Sequence, residues 1–100
     1  MADGQLPTSS AALYTVAAST TTWVKFFNLY NTNAAAQTIL IYINVSGTDR
    51  LWRRVVLEQN ESADLLDPGQ SLQLEAADII KGVTTTGSAV DYVITGVESA

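Results

Sequence analysis

The sequence predicts an all-β fold, an antiparallel β-sandwich of jelly-roll type with about eight strands, with an open barrel as the near alternative. Three observations carry that expectation. Ile39, Ile41, Ile43 and Val45 alternate with Leu40, Tyr42 and Asn44, the period of two that sends successive side chains to opposite faces of a sheet. Short runs rich in β-branched and aromatic residues recur along the chain, separated by clusters of Gly, Ser, Asn, Asp and Pro. A helix is conceivable only over 34–43, where the isoleucine alternation and the flanking turn residues favour a strand.

Length and composition bound the remaining possibilities. One hundred residues, 47% hydrophobic and 15% charged, suffice for one core and are too apolar for a disordered chain. Residues 1–10, with Gly4, Pro7 and two serines, read as a flexible arm, and residues 11–98 as a single domain. The net charge of −5 argues against binding a phosphate backbone, so nucleic acid is not an expected partner. Without cysteine or histidine, disulfides, thiolate metal sites and the commonest general base are excluded. No run approaches the roughly 18 apolar residues of a membrane helix, so no membrane partner is expected. MADGQLPTSS has neither the basic start nor the apolar run of a signal peptide, which suggests assembly in a cytoplasm.

Taken in order, Ala11–Val16 is a short strand with Leu13 and Val16 toward the core. Thr21–Thr32 is long and imperfectly alternating: Trp23-Val24 and Phe26-Phe27 are adjacent apolar pairs, and a β-bulge near Lys25 reconciles them. Asn31-Thr32-Asn33 and Ala34–Ala36 connect it to the isoleucine strand, which ends at the turn signal Ser46-Gly47-Thr48-Asp49. Arg50–Glu58 alternates Leu51, Arg53, Val55 and Leu57 against Trp52, Arg54 and Val56. One of its faces must therefore carry arginine at its centre, and the strand belongs at an edge or at a contact where guanidinium groups find carboxylates. Ala63–Leu66 and Ser71–Leu74 are brief strands around the turn Asp67-Pro68-Gly69-Gln70. Ile79–Thr85 follows, with Gly82 a candidate bulge, and Thr86-Gly87-Ser88 reads as a tight hairpin turn. The last strand, Ala89–Val97, sets Val90, Tyr92 and Ile94 against Asp91, Val93 and Thr95.

Few residues offer chemistry. The ten carboxylates are scattered through turns and strand ends, so no catalytic pair is identified and no enzymatic role or cofactor is expected. Asp64, Asp67, Glu75 and Asp78 form a weak Ca²⁺ pattern without EF-hand spacing, and no metal is assigned to them. Asn44-Val45-Ser46 matches a glycosylation acceptor but lacks a secretory start. The aromatic content is more informative. Trp23, Phe26, Tyr30, Leu40 and Tyr42 exceed what one small core can bury, and they are expected to form a subunit or partner interface. If about 500 Å² of this set stayed open, covering it would contribute about 12 kcal/mol before the cost of association. Arg53 and Arg54 have two readings, an edge-strand charge that discourages aggregation or intersubunit partners at the rim for acids such as Glu58 and Glu61, and the second is favoured. A competing reading gives Trp23 or Trp52 to a carbohydrate-stacking platform.

Two segments resemble a family of small phage virion proteins: LYTVAASTTTWVKFFNLYNTNAAAQTILIYI and LLDPGQSLQLEAADIIKGVTTTGSAVDYVITGVE, about two thirds of the chain. The shared features are the opening LYTV, the NT connection before an alternating strand, an L-x-x-G-x-S-L-x-L-x-A-x-D-x-I segment beginning at Leu66, and a closing VDYxIxGVE beginning at Val90. Ala77 stands where glycine is common, which argues against a strict type II turn there. Phe26 stands where a small polar residue is frequent, which strengthens the interface reading. The resemblance implies a structural component of the virion, made in the host cytoplasm. The role it favours is a self-associating cement (decoration) protein, often trimeric, that binds the major capsid protein on the outside of the head. A tail, baseplate or head-fibre component is the alternative.

Overall fold

The computed structural model describes residues 2–66, 69–87 and 89–99. Among them are nine strands and no helix: β1 (Ala2–Gln5), β2 (Ala11–Thr15), β3 (Thr21–Asn31), β4 (Gln37–Val45), β5 (Thr48–Leu57), β6 (Ser62–Asp64), β7 (Leu72–Leu74), β8 (Ile79–Thr84) and β9 (Val90–Ser99). They form two antiparallel sheets that make a β-sandwich. The front sheet runs β1-β9-β3-β6, with β7 also pairing β3, and the back sheet runs β2-β8-β4-β5. Residues whose side chains point inward from the two sheets make one core, centred on Val24, Phe27, Leu29 and Ile94 in front and Ile39, Ile41 and Ile80 behind, all fully buried.

The first residues do not form a free arm. Ala2–Gln5 lie along β9 as an edge strand, and Leu6, 1% exposed, enters the core beside Val90, whose carbonyl accepts its amide. β1 is the ninth strand, which the sequence reading omitted. Its residues Ala-Asp-Gly-Gln have low strand propensity, so only the partner strand makes it β.

Bulges decide which side chains face in. On β3 the pairing with β9 shifts between Val24 and Phe26, so Lys25 is the extra residue and the expected bulge is present. Phe26 is thereby turned out and Phe27 in. On β5 the pairing with β4 shifts between Ile41 and Tyr42, with Trp52 left over. The uninterrupted alternation expected for β5 is therefore broken: Trp52, Val55 and Leu57 lean inward while Leu51, Arg54 and Val56 face out. Its edge position is as expected.

Gly82 is not a bulge. β8 stays in register with β4 through the Gly82–Ile41 pair, and the glycine makes room instead. A Cβ there would lie 2.8 Å from Leu13 Cδ1 and 3.0 Å from Leu6 Cδ2. Nor is 86–88 a hairpin, because β8 and β9 belong to opposite sheets and the segment is a crossover; Ser88 itself lies outside the described residues. The link between β4 and β5 is a true two-residue hairpin, Ser46 (φ 54°) and Gly47 (φ 83°), where two left-handed residues suit the strand twist. Ala77 has φ 71°, in a turn closed by Asp78 N–H donating to the Glu75 carbonyl at 3.1 Å. The glycine-like conformation is kept although the residue is alanine.

Candidate interaction surfaces

The five outward residues expected as one patch are divided between two opposite faces. Trp23, Phe26 and Tyr30 leave the front sheet on its outer side, alternating with the buried Thr22, Val24, Phe27, Leu29 and Asn31. Leu40 and Tyr42 leave the back sheet on its outer side, between the buried Ile39, Ile41 and Ile43. Phe26 is 41% and Tyr30 38% exposed, whereas Trp23, Leu40 and Tyr42 are half-buried by their neighbours.

Each face has residues that the sequence reading did not assign to an interface. On the front, Trp23 pairs with Val97, Phe26 with Thr95, Asn28 with Val93 and Tyr30 with Asp91. Val93 and Val97, at 40% and 53% exposed, extend the aromatic row across the two central strands. The alternation of the last strand, continued two residues further, was the signal for Val97. On the back, Leu40 lies between Arg54 and Val83, and Tyr42 between Leu51 and Lys81. Leu51 and Val56 are exposed there, and the unrecognised bulge at Trp52 concealed that they share a face.

Charge divides with the faces. Asp3, Asp64 and Asp91 lie on the outer front, with Lys25 in the bulge as the one base of the front strands. Asp64 accepts a 2.6 Å hydrogen bond from Asn28 and Asp91 a 3.2 Å bond from Gln5. Four of the five basic residues belong to the back sheet: Arg50, Arg53 and Arg54 on β5 and Lys81 on β8. Among the described residues the one ion pair joins Lys81 Nζ to Asp49 Oδ1 at 3.2 Å. Arg53 stacks over the Trp52 ring at 4.3 Å and donates to the Trp52 carbonyl. Within one chain Glu58 and Glu61 do not pair with these arginines, so the expected contact is one between subunits; the Glu58 amide donates to Glu61 Oε1 and closes its own turn.

Trp52 packs inward against Phe27, ring centroids 6.2 Å apart, with Arg53 over it, so it is not open to stack on a sugar. Asn44 is buried and donates to Asp49 at 2.6 Å, which removes it as a glycosylation acceptor in the folded chain. Of the four acids weighed for Ca²⁺, Asp67 lies outside the described residues. Asp64 is bonded to Asn28, and the Glu75 amide donates to Asp78 Oδ2. No group of three acids that could hold a metal ion exists among the described residues. Two shallow concavities of about 300 and 290 Å³ follow the β1–β9 seam past Asp3 and Val93.

Polar side chains tie the sheets together at both ends, Asn31 at one and Tyr14 at the other, while Gln37 joins β4 to β8 and the crossover within the back sheet. Asn31, wholly buried, donates through Nδ2 to the carbonyls of Ala35, Leu57 and Glu58 at 3.0–3.2 Å and accepts from the Asn33 amide. Gln37 Oε1 accepts from Thr84 Oγ1 and the Thr86 amide. Tyr14 on the back sheet donates its hydroxyl proton to Glu98 at 2.5 Å, so the 3.0 Å contact with Thr22 is a bond that Thr22 donates. Burial first, and then the bond to Glu98, hold the Tyr14 phenol above its ordinary value, which keeps it a donor. The Asp49 carboxyl is held below its ordinary value, chiefly by the bond from Asn44 and next by Lys81.

No protein-family model, curated protein or solved structure matches the chain.

Proposed function

We propose that this chain is a structural component of a phage particle: a self-associating cement protein that binds the outer surface of the assembled head, without a catalytic role. The observation that carries the reading is the outward row of Trp23, Phe26 and Tyr30 with Val93 and Val97 across the centre of the front sheet. Solvent-facing strands ordinarily place Thr, Ser, Lys or Glu at such positions. On the order of 300 Å² of apolar surface is open there, given about 150–250 Å² per aromatic side chain. Covering it would contribute about 7 kcal/mol before the cost of association. That is less than the undivided set would have given, because Leu40 and Tyr42 serve the other face.

The strand pairing supports a jelly roll as the fold. Its pairs are nested: β4 with β5, β3 with β6 and β7, β2 with β8 and β1 with β9, as in one long hairpin rolled into two sheets. The family resemblance in the two quoted segments supports the virion role. The mechanism is mass action: a protein that binds only the assembled shell stabilises it, by about 2.7 kcal/mol per site at a hundredfold excess over the dissociation constant.

Co-sedimentation with purified heads, tails and unassembled capsid protein tests the reading. Saturable binding to heads alone, with heads that resist heat longer, is expected. Recovery with tails would move the chain to the tail or baseplate, and binding to none of the three would end the virion reading.

A further inference from the structure

The two halves of the charge distribution point to how copies meet. The outer front face presents Asp3, Asp64 and Asp91 against the single base Lys25, around the Phe26 and Val93 row. The β5 edge presents Arg50, Arg53 and Arg54, none of which meets an acid within the chain among the described residues, beside the exposed Leu51 and Val56. Front against front would gather six of these carboxylates, and β5 against β5 six arginines. Either symmetric contact is repulsive, whereas the mixed contact pairs three with three.

We propose that a second copy of this chain docks its β5 arginine edge on the outer face of the front sheet, through Arg50, Arg53 and Arg54 on Asp3, Asp64 and Asp91. The apolar row and Leu51 or Val56 are covered between them. The contact is heterologous, so the angle between the two surfaces decides whether it closes. A sandwich edge stands at about a right angle to its broad face, and such a contact closes after about three or four copies. Opposite broad faces would build an open stack instead. The edge is large enough: ten residues at about 3.3 Å each span about 33 Å, and the molecule is 19 Å thick. This gives about 600 Å² per partner, at the low end of specific interfaces. The ring rests on the self-association part of the reading above and leaves the β4 and β8 part of the outer back face, Leu40 and Tyr42 with Val83 and Lys81, for the head.

Sedimentation velocity of the whole chain at tens of micromolar tests this. The wild type is expected as one closed oligomer that dissociates as salt rises. R50E/R53E/R54E and D3K/D64K/D91K are each expected to be monomeric, with association weakened about a hundredfold or more. The chain carrying all six changes is expected to reassemble to the wild-type mass. A monomeric wild type overturns the proposal, and its β5 arginines then serve only to keep an edge strand from pairing. Triple variants that keep the wild-type mass, or a folded six-site variant that stays monomeric, overturn it too. Should a triple variant fail to fold, Arg54→Glu and Asp3→Lys replace it, each expected to weaken association about tenfold; no weakening in either overturns the contact. Head binding is measured on the same samples. A monomeric wild type that still binds heads sinks the ring alone, and a wild-type ring that ignores heads sinks the cement function alone.

Discussion

β3 and β5 each carry one extra residue, and it sends their aromatic residues in opposite directions. On β3 the extra residue is Lys25, and Phe26 is left in solvent one position before the fully buried Phe27. On β5 the extra residue is Trp52, whose ring drops onto Phe27 while the arginines are pushed to the rim. The difference teaches that exposure here is set by pairing rather than by residue type. Two phenylalanines side by side have opposite roles, and Trp52 of β5, partly buried, packs against the core while Phe26 of β3 is surface.

The largest effect separates the two phenylalanines. Phe27→Ala is expected to lower stability by about 3–5 kcal/mol and Phe26→Ala by less than about 1 kcal/mol, read by denaturant unfolding of the monomer. Equal losses would show that Phe26 is covered within the subunit. Asn31→Ala breaks the tie between the end of β3 and the end of β5, because the Leu57 and Glu58 carbonyls lose their shared donor. A loss of about 2–3 kcal/mol is expected. Deleting Lys25 sharpens the comparison directly: Val24, Phe26 and Phe27 then alternate without a bulge. The fold is expected to persist at a cost of about 1–2 kcal/mol, and loss of cooperative unfolding would show that the bulge is indispensable.

Away from both bulges, Ala77→Gly is expected to stabilise the chain by about 0.5–1 kcal/mol, since a left-handed φ costs alanine a Cβ clash. The smallest effect belongs to Asp49. Its folded pKa lies below the ordinary aspartate value, so its contribution to stability is present above that ordinary value and is lost as pH falls through the depressed folded value. Asp49→Asn is expected to flatten the acid limb of a stability–pH curve measured by thermal unfolding, and an unchanged limb would remove Asn44 and Lys81 as the cause.

Much of the framework was legible from local pattern. Ile39, Ile41 and Ile43 on one side of β4, Val90, Tyr92 and Ile94 on one side of β9, and the bulge at Lys25 all follow from alternation within a single strand. The candidate surface was legible only in part. Trp23, Phe26 and Tyr30 do face outward together, but Leu40 and Tyr42 belong to the opposite face, because the connection through 32–36 carries the chain from one sheet to the other. Gly82 read as a bulge for a similar reason: what it accommodates, Leu6 and Leu13, comes from far away in sequence.

By itself, then, the order of residues determined that the chain is β throughout, where most strands start and stop, and which side of β3, β4 and β9 is apolar. Those properties depend on neighbours two residues apart. Tertiary structure alone decided that Ala2–Gln5 is a strand, that Trp52 turns inward, and that the acids and arginines separate onto different surfaces. Each of these depends on which distant strand lies alongside, and hydrogen-bond pairing between remote segments leaves no period in the sequence to read.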